Sequence, residues 1–325
     1  MITAYRSNGD AIALSVEHGA PALTPDIVWV DLLSPTRAEE DMVEGLLSIS
    51  VPTREDLKDI EPSSRLYIED GAVFMTGSLV YKADSEVPEL TDIAFVLIDN
   101  RLVTIRYAEP KSFGLFIAAM HRMQEGCRSG PILLTRLMET IVDRTAEILE
   151  QSVARIDGLS MMVFAETSRS KRRPPHYLED RLFDVAGHHR LVSKTRDSLA
   201  SLSRLMTFLY TVPVIQENRE SKELCRAVSR DIQSLSEHAS FIAGNITFLL
   251  DASLGLINVE QNAIIKIFSI ASVVLLPPTM VASIYGMNFA VMPELHWSFG
   301  YPLALALMLL SAIIPFFFFR WKGWL

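Results

Sequence analysis

Cysteine is scarce in this chain of 325 residues: only Cys127 and Cys225 occur, far apart and without ligand-like spacing. That speaks against a disulfide framework or a cysteine zinc site, and fits two buried thiols in a reducing compartment. A glycine-rich phosphate loop, a metal-protease helix and a nucleophile elbow are also missing, so no enzyme constellation is visible. Basic charge is not in excess; the net charge is −9. The surplus of acid lies before residue 260, because from there on only Glu260 and Glu294 stand against Lys266, Arg320 and Lys322. Such a balance argues against a nucleic-acid partner and tolerates cations, although a merely soluble acidic surface reads the same way. Residues 1–20 contain Arg6, Asp10 and Glu17 and lack an apolar core, so no signal peptide is expected.

The most informative absence is of charge in two long stretches. Residues 267–285 and 299–319 contain no Asp, Glu, Lys or Arg. Each run is about 20 residues, enough at ~1.5 Å per residue to cross a ~30 Å hydrocarbon core. Two transmembrane helices are predicted, at about 264–285 and 299–319, with an outer loop at 286–298 and a basic tail at 320–325. The loop carries no Lys or Arg, whereas Lys266, Arg320 and Lys322 flank the spans. Basic residues stay inside, which places both termini on the cytoplasmic side of a cytoplasmic (inner) membrane.

Within the first run, Asn262, Ile265, Ser269, Ser272, Leu276, Thr279 and Ser283 recur at alternating steps of three and four. That spacing keeps them on one helix face. Small residues of this kind let two helices approach closely. Alternatively the stripe faces water in a pore made by several copies, since polar groups avoid acyl chains. Spacing leaves both readings open. Extended backward, the same line meets Asn258, Gly255 and Asp251, either a water-facing seam with a ring of Asp251 carboxylates or one solvated Asp on a stalk.

Ahead of the spans the chain reads as α/β and then helical. Strand-like runs lie at 27–30, 72–81, 93–98 and 102–107, with Glu69-Asp70-Gly71 and Asp99-Asn100 as hairpin-like turns. A helix at about 37–49 starts after Ser34-Pro35-Thr36. Helices are predicted at about 132–166, where Leu133, Leu137, Ile141 and Ile148 recur at helical spacing, and at about 178–211. A polar break, 168–175, joins them and contains Lys171-Arg172-Arg173. His188 and His189 are adjacent on a helix, point in different directions, and read as surface or core residues. Pro213 stops that helix. A single rod of ~105 Å is expected from about 214 to 285, with a local bend at Pro277-Pro278. The expected division is a cytoplasmic domain at 1–260 (α/β to about 110, helical from 111) and a transmembrane domain at 261–325.

Tyr285-Gly286-Met287-Asn288, then Met292-Pro293-Glu294-Leu295 and the closing Arg320-Trp321-Lys322-Gly323-Trp324-Leu325, resemble the CorA family of magnesium channels in the GMN-motif superfamily. Leu276-Pro277-Pro278-Thr279 and Trp297-Ser298-Phe299-Gly300-Tyr301-Pro302 fit the same pattern. Echoes occur at Pro52-Thr53-Arg54-Glu55 and Ser63-Ser64-Arg65-Leu66-Tyr67. The resemblance implies a pore-forming homo-oligomer, a pentamer, in a lipid bilayer. It implies magnesium as the transported ion; entry of cobalt and nickel is compatible with that path, because hydrated divalent ions are similar in size, and no organic cofactor is expected. It also tips the stripe toward the pore and makes Asn288, with Gly286 and Met287, the outer selectivity ring.

Magnesium sheds its water reluctantly. An amide oxygen on Asn288 suits the hydrated ion because it accepts hydrogen bonds from the bound waters, and Gly286 permits a tight turn beside it. Glu294, the only acid of the loop, would concentrate cations by screened attraction, or else pack the loop. Thr279 would form a polar constriction and Leu276 a hydrophobic one able to close by dewetting. Relatives are regulated by cytoplasmic magnesium between neighbouring soluble domains; Asp231 with Glu89 or Asp92 are the candidates here. Two other readings are a zinc transporter of the same superfamily, possible with proton coupling, and a membrane-anchored cytoplasmic sensor without transport. Met292 to Leu295 weigh against the first, and the polar line through a span against the second.

Overall fold

The structure, a computed structural model, describes every residue except 17–22, 59–60, 62–64, 86, 121, 123–126, 165–176, 289–291 and 325. The polar break with Lys171-Arg172-Arg173 and the Ser63-Ser64 pair lie outside the described residues. The chain forms two compact units, Met1–Leu250 and Asp251–Leu325.

In the first unit a seven-stranded mixed sheet comprises β1 (Ile2–Arg6), β2 (Ala11–Leu14), β3 (Ile27–Leu33), β4 (Leu66–Glu69), β5 (Ala72–Tyr81), β6 (Glu89–Ile98) and β7 (Arg101–Arg106). Their spatial order is β2-β1-β3-β7-β6-β5-β4. Both expected hairpin turns are present. Asp70 (φ 48°) and Gly71 (φ 81°) close the β4–β5 pair between Glu69 and Ala72, and Asp99 (φ 51°) sits in the turn from Ile98 to Arg101. Positive φ in two-residue turns matches the twist of the flanking strands. The strands β1, β2 and β4 were not expected, and β6 starts at Glu89 rather than 93.

Parallel pairing occurs between β3 and β7. A buried network spans this pair. Arg106 donates to Asp31 through Nη2 at 2.8 Å and Nε at 3.1 Å, with both side chains under a tenth exposed. The Thr104 hydroxyl donates to Asp31 at 2.6 Å, and the Trp29 indole N–H donates to Thr104 at 2.9 Å. Each charge is therefore paired and hydrogen-bonded, the condition for burying it without heavy cost.

Helices cover both faces. On one, Val43 and Leu47 of α1 (Arg37–Leu47) join Leu32, Phe74, Val96, Val103 and Ile105 in a common core. The Glu39 carboxylate accepts from the Thr36 backbone N–H at 2.8 Å, and Ser48 in left-handed conformation ends the helix, two residues earlier than expected. The other face is covered by α2 (Lys111–Met120), α3 (Gly130–Phe164) and α4 (Tyr177–Thr211). There Phe113 and Phe116 pack on Trp29, and Phe113 on Phe95. The hydroxyls of Ser198 and Ser201 bond to the Ser78 backbone of β5.

The long helix begins later than its sequence suggests. Pro213 opens a short helix, α5 (Pro213–Glu217), and Asn218 is extended. Its Oδ1 then accepts from the Ser221 N–H at 3.0 Å and caps α6 (Arg219–Tyr285). Helix α6 has 67 residues and continues through Pro277 and Pro278. Cys225, Val228, Ile232, Ala239, Ile242, Ile246 and Leu249 form its buried face in the first unit. Burial pushes the Cys127 thiol up and that of Cys225 to about 11, so both are inert at neutral pH. The last helix is α7 (Gly300–Trp321). An α/β domain, a long helix and two C-terminal apolar helices are the architecture the sequence led us to expect.

Candidate ion-conduction site

The end of α6 and the whole of α7 are long and apolar enough to cross a membrane, and only 6% of the most apolar stretch of each is buried. A soluble core helix of that composition would be covered. Phe268, Leu275, Met280, Leu309 and Ile314 are instead each over 60% exposed.

What is covered in this unit defines a face. Along α6, Ile270 is buried, and Lys266, Val274, Pro277, Pro278, Val281 and Tyr285 are half-buried. In the same unit Ala304 of α7 is also buried. At ~100° per residue the stripe from Asn262 to Ser283 lies about 150° around the helix from that face. All seven stripe residues are exposed, as are Asp251, Gly255 and Asn258 below them. The hydroxyl side of the first span is thus the side opposite its covered residues.

Two of those hydroxyls have their protons committed. Ser272 Oγ donates to the Phe268 carbonyl at 2.9 Å and Thr279 Oγ1 to the Leu275 carbonyl at 2.8 Å. Each therefore presents lone pairs outward, which suits a cation or the waters bound to one. The helix closes through Gly286 N–H to the Ala282 carbonyl at 3.0 Å and Met287 N–H to the Ile284 carbonyl at 3.2 Å. Asn288 follows outside the helix, exposed, at the negative end of the α6 dipole. Gly286 is not in the left-handed region. Its turn is tight for another reason: a Cβ there would stand 3.3 Å from the Ala282 carbonyl oxygen, so glycine serves close approach rather than an unusual φ.

In the connector, Pro293 starts a short 3-10 turn, Pro293–His296, that carries exposed Glu294. The Trp297 N–H donates back to the Glu294 carbonyl at 3.4 Å, and Gly300 N–H to the Trp297 carbonyl at 3.0 Å. At the opposite end of the hairpin, Gly323 (φ 69°) folds the tail so that Trp324 stacks on Phe319. Lys266 Nζ lies 5.4 Å from the Trp324 ring. Lys266, Arg320 and Lys322 therefore share one end of the two spans.

The three acids suggested for magnesium sensing do not meet within one chain. Glu89 accepts from Lys82 at 3.0 Å, and Asp92 accepts from Arg65 and Ser78. Asp231 is exposed on α6; the Asp143 carboxyl is raised first by partial desolvation and then by the charges of Glu139, Asp231 and Glu147. Among the described residues no group of three or more His, Cys, Asp or Glu side chains could hold a metal ion. Sequence reasoning passed over Gly300, which is buried at the first position of α7. A glycine placed directly after a turn and at the first position of a helix was the available signal.

A family model described as CorA-like Mg2+ transporter protein matches residues 25–321. The chain belongs to that family. It is 33% identical over 327 residues to the Magnesium transport protein CorA of Pasteurella multocida, and 34% identical over 327 residues to that of Haemophilus influenzae, each match covering all of both chains. Its fold is similar to the complete structure of the CorA magnesium transporter from Methanocaldococcus jannaschii, with a TM-score of 0.79 at 19% identity, covering 100% of this chain and 99% of that one. CorA family members are transport proteins of membranes, and the two exposed apolar helices agree with that setting. This is a transporter family rather than an enzyme class.

Proposed function

We propose that this chain is one subunit of a magnesium channel in the cytoplasmic membrane, with α6 from several copies around a water-filled axis. The observation that carries the reading is the open hydroxyl-and-amide stripe, opposite the covered face of the first span and leading to Asn288. One copy cannot enclose a path, so self-association is required, and the family resemblance makes the assembly a pentamer. Asn288, with Gly286 and Met287, forms the outer ring that receives the hydrated ion. Its amide oxygens accept from bound water, and the α6 C-termini add their negative ends. Cobalt and nickel, as hydrated divalent ions, pass the same ring. Glu294 raises the local cation concentration at the entrance, and Leu276 and Thr279 are the narrow points below it. Asp251 and Asn258 continue the polar line.

Both termini face the cytoplasm, because Lys266, Arg320 and Lys322 gather at one end of the hairpin and the connector lacks Lys and Arg. Cytoplasmic magnesium holds the assembly closed by bridging acids of neighbouring copies. Asp231 is the better placed of the three candidates, because Glu89 and Asp92 already have cationic partners in their own chain.

Magnesium uptake into liposomes tests the reading. Asn288→Ala removes a hydrogen bond of ~1 kcal/mol in each copy, which over several copies slows uptake by about tenfold or more. Uptake equal to the unmodified protein would rule out the outer ring. Zinc flux that rises with a proton gradient, without magnesium flux, would overturn the choice of ion. No flux of either ion would leave only a membrane-anchored sensor.

A further inference from the structure

We propose that Gly300 is a positioning residue of the outer mouth, whose missing side chain fixes where Glu294 stands. This rests on the reading of Glu294 as the acid that draws cations in. The turn Pro293–His296 sits against the start of α7. A Cβ on Gly300 would lie 2.4 Å from the Glu294 carbonyl oxygen and 3.5 Å from its carbonyl carbon. Carbon and oxygen do not approach so closely without bonding, so one of them would have to move. The obstructing atoms are main chain, not the end of a flexible side chain, so any added methyl displaces the Glu294 backbone itself.

The connection continues on both sides of the glycine. Its N–H donates to the Trp297 carbonyl at 3.0 Å, the Trp297 N–H donates to that same Glu294 carbonyl at 3.4 Å, and the Leu303 N–H donates to the Phe299 carbonyl at 2.9 Å. The turn is thereby tied to the start of the second span. Glu294 is exposed, and among the described residues its side-chain carboxylate makes no hydrogen bond or ion pair. Its location is set by its backbone alone. For a ring of like charges the attraction felt by an incoming cation depends on distance and is screened by salt. Moving each backbone therefore changes the field at the mouth, even though every carboxylate remains.

The test compares magnesium uptake by full-length protein in liposomes at low and high ionic strength, for Gly300→Ala, Glu294→Gln and both together. The low-salt advantage of the unmodified protein should fall by about twofold or more in Gly300→Ala, and the double variant should be no worse than Glu294→Gln. A full low-salt advantage in Gly300→Ala, with that of Glu294→Gln abolished, overturns the positioning role while sparing the role of Glu294. A full advantage in Glu294→Gln refutes the underlying reading. Should Gly300→Ala transport nothing, spin labels on Glu294→Cys in the purified assembly decide. Gly300→Ala should shift or broaden the distances between copies, and an unchanged distribution refutes the proposal.

Discussion

Asp143 is a carboxylate in poor company. It lies on the exposed side of α3, with Glu139 and Glu147 one turn away on either side and Asp231 across on α6. Partial loss of hydration against its neighbours first, and then the three negative charges, raise its pKa above the ordinary 3.8. Above its unfolded pKa, the folded state therefore holds a proton that the unfolded chain has lost. Stability falls as pH climbs from the ordinary carboxylate value through the raised folded one. Asp143→Asn removes that loss. Without divalent ions, its thermal unfolding midpoint in detergent should exceed that of the unmodified protein at pH 7 and nearly equal it near pH 4. A lower midpoint at pH 7 would show that the charge has a favourable partner instead. Added magnesium should narrow the difference at pH 7, because the divalent ion screens the same repulsion.

The parallel β3–β7 pair shows how a single polar element can organise a sheet. Arg106 and Asp31 are each under a tenth exposed, and Thr104 and Trp29 complete their bonding. Arg106→Met leaves an uncompensated buried carboxylate, and the expected cost is about 3–5 kcal/mol. Replacing both partners, Asp31→Leu with Arg106→Met, should recover much of it. Denaturant unfolding of the full chain in detergent checks both, and equal losses in the single and double variants would deny that the pair is a unit. Little of this network was legible beforehand, since neither residue declares its partner. Elements with strong local signals were legible. Asp70-Gly71 and Asp99 fix two hairpins through positive φ, and α1 carries a cap in Thr36 and Glu39. Strands β1, β2 and β4 are short and carry weak periodicity, so tertiary pairing decides them. The Asn218 break hid because an isolated Asn within a helical pattern signals nothing until its side chain caps the next helix. The candidate stripe was visible as spacing, whereas which face of the span is covered needed the structure.

At the scale of the molecule, the decisive quantity is which side of the first span meets water. A lone hairpin would expose Ser269, Ser272, Thr279 and Ser283 to acyl chains, an arrangement that polar groups in a bilayer avoid. Several copies would remove that conflict by turning the stripe inward, as proposed above. Single cysteines placed along residues 268–284 measure this directly, because the native Cys127 and Cys225 are buried and react slowly. A water-soluble cationic thiol reagent should label positions 269, 272, 276, 279 and 283 about tenfold faster than 270, 274 and 281. Magnesium on the outer side should slow the labelling at 279 and 283, by competing for the same path. Equal rates at every position would mean a frayed or wholly lipid-facing helix. Faster labelling at 270, 274 and 281 would place the water on the covered face, and the assembly would have to be built the other way round.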